Sequence, residues 1–234
     1  MNDTIAAIAA TGQRIDHFKR NALARQIRQM EKNGIDLVLD VGANTGQYGQ
    51  RLRKAGYDGA IVSFEPVTSA FASLARRARR DTDWRAERLA LGAHGHVAAI
   101  AVSGDPRASS LKRMLDLHQG IAPYFATVGH ESVLVKTLDA VWDDCVPDGR
   151  TVYLKIDAQG AERDIIDGAV RCMPRIRMVQ LELSIVPLYE DSMLLPAALE
   201  LMTTLGFTLV STEYGFCHPD TGQMLQMDGV FARL

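Results

Sequence analysis

The chain has 234 residues, 47% of them hydrophobic, and its 26 Lys and Arg against 28 Asp and Glu leave a formal net charge of −2. That is enough apolar material for one sizeable core, and a charge balance with no electrostatic case for a nucleic-acid partner or a membrane surface. The longest apolar run, Val97 to Val102, falls far short of the ~18 residues of a membrane span. No basic segment followed by an apolar one opens the chain as a secretory signal does, and Cys145, Cys172 and Cys217 show neither disulfide nor zinc spacing. A cytoplasmic globular protein is expected.

Residues 1–34 read as a helical N-terminal extension. Ile5, Ile8, Ile15, Phe18, Leu23, Ile27 and Met30 recur at mostly helical intervals, with a break near Thr11-Gly12 and a C-cap at Asn33-Gly34. The texture then changes, and residues 35–234 read as a single α/β domain. Strands are expected at 35–41, 60–64, 85–91 and 97–102, with helices between them carrying Tyr48, Leu52 and Ala55, then Phe71, Leu74 and Ala78. Residues 104–131 show no period and are expected to form a functional loop or lid. Alternation resumes with a strand at 151–156, a helix at 161–170, a strand at 178–183, a helix through Leu195, Leu199, Met202 and Leu205, and two closing strands near 207–211 and 229–234. Alternating units predict a mostly parallel central sheet. Two final strands with no helix between them predict an antiparallel C-terminal hairpin at the sheet edge.

The most informative segment is D-x-G-x-N-x-G at Asp40, Gly42, Asn44 and Gly46, where the first strand hands over to a helix. Glycines there permit a sharp turn and close backbone approach to a ligand, at the strand end where open α/β sheets bind. Glu65 ends the next strand, 19 residues past Gly46, where a carboxylate can accept from both hydroxyls of a ribose. Pro66 follows it and suits the opening of a helix. The order is not the G-x-G-x-x-G of dinucleotide enzymes. Together these features predict a site for a nucleoside-containing cofactor.

The segments Val38–Gly46 and Phe64–Pro66, joined by Ala90-Leu91-Gly92, Ser109-Ser110-Leu111, Val135–Asp139 and above all Leu154–Glu162 with Gly168-Ala169, resemble the FkbM family of class I S-adenosylmethionine-dependent methyltransferases over residues 35–233. The resemblance implies a Rossmann-like fold with a closing antiparallel strand, S-adenosyl-L-methionine as cofactor and S-adenosylhomocysteine as product. It implies that Asp40, Gly42, Ala43, Asn44, Gly46 and Tyr48 surround the methionine part, that Glu65 with Pro66 holds the ribose, that Ala90 and Leu91 lie against adenine, and that Asp157 borders the cofactor. Gln159 stands where the family pattern carries Glu. The implied reaction is O-methyl transfer to a hydroxyl of a sugar, glycolipid or other glycosylated natural product.

Such a hydroxyl is poorly acidic, so a base is expected beside the reacting oxygen. Asp157 is the first choice: it ends a strand, and Lys155 shares its face by strand alternation and favours the carboxylate form. Glu162 and Glu182 are further candidates on the rim. His118 and His130, both in the irregular stretch, are alternative bases, and Ser109 and Ser110 are candidates for acceptor contacts. A divalent metal bridging Asp157 and another carboxylate would lower the acceptor hydroxyl's pKa and stays open as an alternative, but no dedicated ligand spacing marks a site for one, so none is predicted. Arg76, Arg77, Arg79 and Arg80, with Arg85 and Arg88, read as a solvated helix face. The N-terminal helices have two uses open to them, covering the site or pairing subunits as a homodimer. A nicotinamide-dependent oxidoreductase and a non-catalytic nucleoside-binding module are the alternative functions.

Overall fold

The structure is a computed structural model, and it describes residues 22–234. The helical pattern expected through Ile5, Ile8, Ile15 and Phe18, and its break near Thr11-Gly12, lie outside the described residues. Helix α1 (Ala22–Lys32) buries Ile27 and Met30. It stops where Gly34 adopts φ +65° and its N–H closes on the Glu31 carbonyl at 3.1 Å, the left-handed exit that glycine makes without strain.

From there the chain alternates as its apolar periods require. Strands β1 (Leu37–Val41), β2 (Ala60–Phe64) and β3 (Trp84–Glu87) are separated by helices α2 (Gln47–Lys54) and α3 (Thr68–Ala78). After an excursion through β4 (Ala90–Leu91), β5 (His96–Ser103), α4 (Asp116–Ile121) and β6 (Thr127–Lys136), the alternation continues. It runs through α5 (Leu138–Cys145), β7 (Val152–Ile156), α6 (Glu162–Asp167), β8 (Ile176–Ser184), α7 (Leu195–Thr204), β9 (Thr208–Tyr214) and β10 (Gln226–Ala232). The main sheet has the order β3-β2-β1-β7-β8-β10-β9. Its strands are parallel except β10, which runs antiparallel to β8 on one side and β9 on the other. The closing hairpin is therefore present, with its second strand inserted inside the edge formed by its first.

Strand alternation divides the core in two. Leu37, Leu39 and Val41 of β1 join Leu154 and Ile156 of β7 under α5, α6 and α7, whereas Val38, Ile61 and Tyr153 pack under α1, α2 and α3. Burial on both faces explains why β1 and β7 have no exposed residue. On the α1–α3 face a polar row crosses the sheet in register, Ser63 beside Asp40, Asp40 beside Lys155, and Lys155 beside Gln180. All four are buried, so each needs a partner.

Three expectations change. The strand expected over 85–91 is two strands in two sheets: β3 stays in the main sheet, while β4 leaves it to pair with Val135 and Lys136 of β6. The strand at 97–102 is not in the main sheet either; β5 pairs antiparallel with β6 in a small sheet of order β4-β6-β5. The stretch 104–131 is not without structure, since it holds two 3-10 turns, α4, and the first half of β6. Strand β6 escaped the pattern because the run Val133-Leu134-Val135 is apolar throughout: Leu134 is exposed between buried Val133 and Val135, which erases the alternation that marks a half-buried strand. The small sheet packs Ile100, Val133 and Val135 against Val67 and Ala70 at the start of α3.

Candidate active site

A cavity of about 600 Å³ opens at the carboxyl ends of β1, β2, β7 and β8, roofed by the small sheet and the segment 106–125, a volume suited to a cofactor together with a small acceptor. The first loop is folded by its glycines against protein rather than against a ligand. A Cβ on Gly42 (φ +75°) would stand 1.8 Å from the backbone oxygen of Asp157, and one on Gly46 (φ +88°) would press on Leu74 and Trp84. Gly42 thus lets the ends of β1 and β7 close together, while Asp157 N donates to the Val41 carbonyl at 3.2 Å. Arg77, from the arginine run expected to be a solvated face, reaches in to the Thr45 carbonyl and, at 3.0 Å, the Thr45 hydroxyl.

Glu65 shapes the ribose-sized end. Its Oε2 accepts from Asn44 N and its Oε1 from Val67 N, each at 2.8 Å. The carboxyl is buried, and burial pushes its pKa up to about 7, against the lowering effect of those two donors. Each oxygen keeps a lone pair, so two further hydroxyl donors suit it. Asn44 (φ +50°) accepts from Thr45 N at 2.6 Å, while its buried Nδ2 has no acceptor among the described residues. Leu89, Ala90, Leu91 and Ile165 provide an apolar wall beyond Glu65. A carboxyl with spare acceptor capacity, an orphaned amide donor and an apolar slot fit an adenosine-bearing amino acid.

The other end is acidic. Lys155 Nζ lies 3.3 Å from Asp40 Oδ1 and 3.3 Å from Asp157 Oδ2, above the Tyr48 ring at 5.4 Å. Burial alone lowers the Lys155 pKa, but Asp157, Asp40 and Asp228 hold it above the ordinary range. Asp40 is fully buried, and burial raises its pKa despite Lys155 and the Ser63 hydroxyl, which donates to Oδ2 at 3.1 Å and itself receives Trp84 Nε1 at 3.0 Å. Gln159 (φ +53°) ties this end together. Its Nε2 donates to Asp157 Oδ1 at 2.9 Å and to Glu182 Oε2 at 3.0 Å, Tyr189 Oη donates to its Oε1 at 2.7 Å, and Ser110 Oγ donates to its carbonyl at 2.7 Å. Carboxylate oxygens only accept, whereas the Tyr189 hydroxyl can donate or accept, so the two acids turn the nitrogen to themselves and leave the amide oxygen for Tyr189. The amide thus takes the place that a charged side chain would fill with a third carboxylate.

The cavity wall gathers Gly42, Ala43, Asn44, Tyr48, Glu65, Pro66, Ala90, Leu91, Lys155, Asp157 and Glu182 from the expected set. Four of the expected residues are elsewhere. Asp40 and Gly46 lie behind the wall, the first holding Lys155 and the second turning the loop. Glu162 is buried behind it too: Oε1 accepts from Ala158 N and Gly160 N at 3.0 and 3.2 Å, so it braces the turn carrying Asp157, with burial pushing its pKa up to about 7. His130 is exposed on β6 opposite Ala101, away from the wall.

His118 replaces it in position. It is 1% exposed on α4 and lines the cavity with Phe125 and Phe216, its ring edge-on to Phe125 and Tyr189 at 5.2 Å. Both ring nitrogens lack partners among the described residues, and burial lowers its pKa to about 4. Ser109 and Ser110 also line the cavity, but their hydroxyls are engaged by the chain: Ser109 Oγ accepts from Ser103 N and Ser110 Oγ from Lys112 N. Neither Gln159 as a hub nor Tyr189 and Gln226 could be picked out beforehand, because each is an ordinary polar residue until the fold aims it. Among the described residues, no group of three or more His, Cys, Asp or Glu has metal-holding geometry, and no helix is long and apolar enough to cross a membrane.

Sheet order, glycine turn and acid at the second strand define a Rossmann-like methyltransferase fold. The chain belongs to the FkbM methyltransferase family, whose domain model matches residues 40–216, and S-adenosylmethionine is its cofactor. A glycine/sarcosine/dimethylglycine N-methyltransferase of Actinopolyspora halophila is 27% identical over 212 residues, 83% of this chain and 36% of that protein. The chain thus spans about a third of that curated relative. A putative S-adenosylmethionine-dependent methyltransferase from Listeria monocytogenes matches in fold with TM-score 0.50 at 8% identity, covering 91% of this chain and 98% of its own. A Synechocystis magnesium protoporphyrin IX methyltransferase with the cofactor bound gives 0.47 at 12% identity, over 94% and 81% of the two chains.

Proposed function

We propose that this chain moves a methyl group from S-adenosylmethionine to a hydroxyl of a sugar or glycosylated small molecule, with Asp157 as the base. The observation that carries the reading is the mounting of Asp157 on the cavity wall: one oxygen is set by Lys155, the other by Gln159, and its turn is braced by Glu162. A carboxylate fixed from both sides is poised to take a proton in one direction only.

Glu65 and Asn44 would hold the nucleoside and amino-acid ends of the cofactor, and Leu89, Ala90 and Leu91 its base. When bound, the sulfonium supplies an activated methyl carbon to a nucleophilic oxygen, its sulfur keeping the bonding pair. Asp157 accepts the hydroxyl proton as that oxygen reacts. Lys155, shared with Asp40, sets a positive charge 3.3 Å from Asp157 on the cavity wall. The segment 106–125, fastened to Gln159 through Ser110, excludes water from the acceptor end.

The test is Asp157→Asn. Turnover across a glycoside panel, read as a gain of one CH₂ by mass spectrometry, is expected to fall by about 10²–10⁴-fold, with calorimetric affinity for S-adenosylhomocysteine nearly kept. Wild-type turnover in that variant would remove Asp157 from the role. Binding of NAD in preference to S-adenosylhomocysteine would favour the oxidoreductase alternative, and methylation confined to amines would replace the hydroxyl acceptor.

A further inference from the structure

Glu182 sits on the same wall as Asp157, yet its two oxygens are not alike. Oε2 accepts from both Gln159 Nε2 at 3.0 Å and Gln226 Nε2 at 2.8 Å. Oε1 has no partner among the described residues and is not sealed in the interior, since it is absent from the enclosed, unsatisfied atoms while the residue lines the cavity. Two amide donors on one oxygen leave the other as the place for a proton. The surroundings favour that proton. Asp157 at the end of β7, Glu162 on α6 and Asp228 on β10 add negative charge near Glu182, against Lys155 and the two amide donors on Oε2; burial first, then these acids, raise its pKa well above the ordinary carboxylate range. Burial, with Asp157 next, likewise raises Asp228, to about 6.

We propose that Glu182 selects the acceptor: as a carboxylic acid it donates Oε1–H to an oxygen next to the hydroxyl that Asp157 deprotonates, so that the acceptor is a vicinal diol or an equivalent pair of adjacent oxygens. Asp157 and Glu182 are anchored on one amide nitrogen, at 2.9 and 3.0 Å, which keeps a proton acceptor and a proton donor within the span of one small substrate. A diol meets both, since its reacting hydroxyl gives a proton and its neighbour receives a hydrogen bond. A monodeoxy analogue leaves that donor unpaired beneath the bound substrate, the kind of loss that discriminates strongly between substrates. The inference rests on the hydroxyl-transfer reading above and adds the substrate feature that reading leaves open.

The probes are methyl hexopyranosides with vicinal hydroxyls and their monodeoxy counterparts. They are titrated by NMR into the full chain loaded with S-adenosylhomocysteine, then assayed for methylation. Wild type is expected to bind the diols at least about tenfold more tightly. Glu182→Gln, whose amide still donates, keeps that preference, and Glu182→Ala loses it, with S-adenosylhomocysteine affinity the same in all three. The infrared absorbance of protonated carboxyls at neutral pH is expected to fall by one group in Glu182→Gln and to be unchanged in Asp157→Asn. Equal binding of diol and deoxy sugar by wild type, a preference surviving Glu182→Ala, or one lost equally in both variants overturns the proposal. Methylation of monodeoxy sugars at diol rates would leave O-methyl transfer standing and remove only Glu182, whereas a protein that binds S-adenosylhomocysteine but no glycoside loses both.

Discussion

Glu65 shows how one side chain can couple cofactor binding to pH. Its carboxyl, pushed up to about 7 by burial, carries a proton at pH 6 that the unfolded chain, with an ordinary glutamate, has released. It therefore contributes stability fully present below pH ~4.5 and lost as pH rises through about 7. Hydroxyl donors from a ribose favour the charged form and bring the pKa back down. Cofactor binding at pH 6 is thus expected to release close to one proton. Calorimetry of S-adenosylhomocysteine binding in buffers of different ionisation heat checks this. Glu65→Gln should abolish the release and weaken binding by about 1–3 kcal/mol; an unchanged proton count in that variant would mean Glu65 does not touch the ribose. The role proposed for Glu65 was legible from its place at a strand end past a glycine turn. Gln159 was not: nothing in the sequence says that its amide faces two acids, because that depends on the fold bringing Glu182, 23 residues on, beside Asp157.

Among the elements, α4 is the least visible in the sequence and the most exposed to pH. Six residues are too few to display a helical period, and its burial comes from rings contributed by three separate segments, Phe125, Tyr189 and Phe216. His118 is neutral there, with a pKa near 4, below its ordinary value near 6.5. The unfolded chain takes up the proton first as pH falls, so the stability His118 contributes is present above pH ~6.5 and lost toward pH 4. His118→Phe is expected to flatten the acid side of a plot of Tm against pH relative to wild type. Thermal melts from pH 4.5 to 7.5 check it, and parallel curves for the two proteins would show that the ring is not buried neutral. Strands β1 and β7, by contrast, announced themselves through short β-rich runs bounded by turn residues, and the helices α2, α3 and α7 through their stripes. The small sheet stayed hidden because β4 has two residues and the run Val133-Leu134-Val135 breaks the alternation in β6.

Across the whole molecule, the described part of the N-terminal region is stitched to the sheet from beneath the active site. Gln26 of α1 is 4% exposed, with Nε2 at 2.8 Å from Tyr48 Oη and 2.7 Å from both Tyr153 Oη and Gln180 Oε1. Tyr153 Oη donates to the same Gln180 oxygen at 2.9 Å. Tyr48 in turn lines the cavity under Lys155, so α1, α2, β7 and β8 meet in one buried polar network. Removing Gln26 leaves several buried groups short of a partner. Gln26→Ala is expected to cost about 1–3 kcal/mol in stability, read by chemical denaturation, and to weaken S-adenosylhomocysteine binding through Tyr48; unchanged stability would show that α1 is an appendage. The fold class was readable from the alternation of elements, whereas the network was not, because its members lie up to 154 residues apart.

All of this turns on one crevice, and a crystal structure with S-adenosylhomocysteine tests it directly. Both ribose hydroxyls are expected on Glu65, the base against Ala90 and Leu91, and the sulfur facing Asp157. Product seated away from the β1 and β2 ends, or a ribose that leaves Glu65 uncontacted, would contradict it.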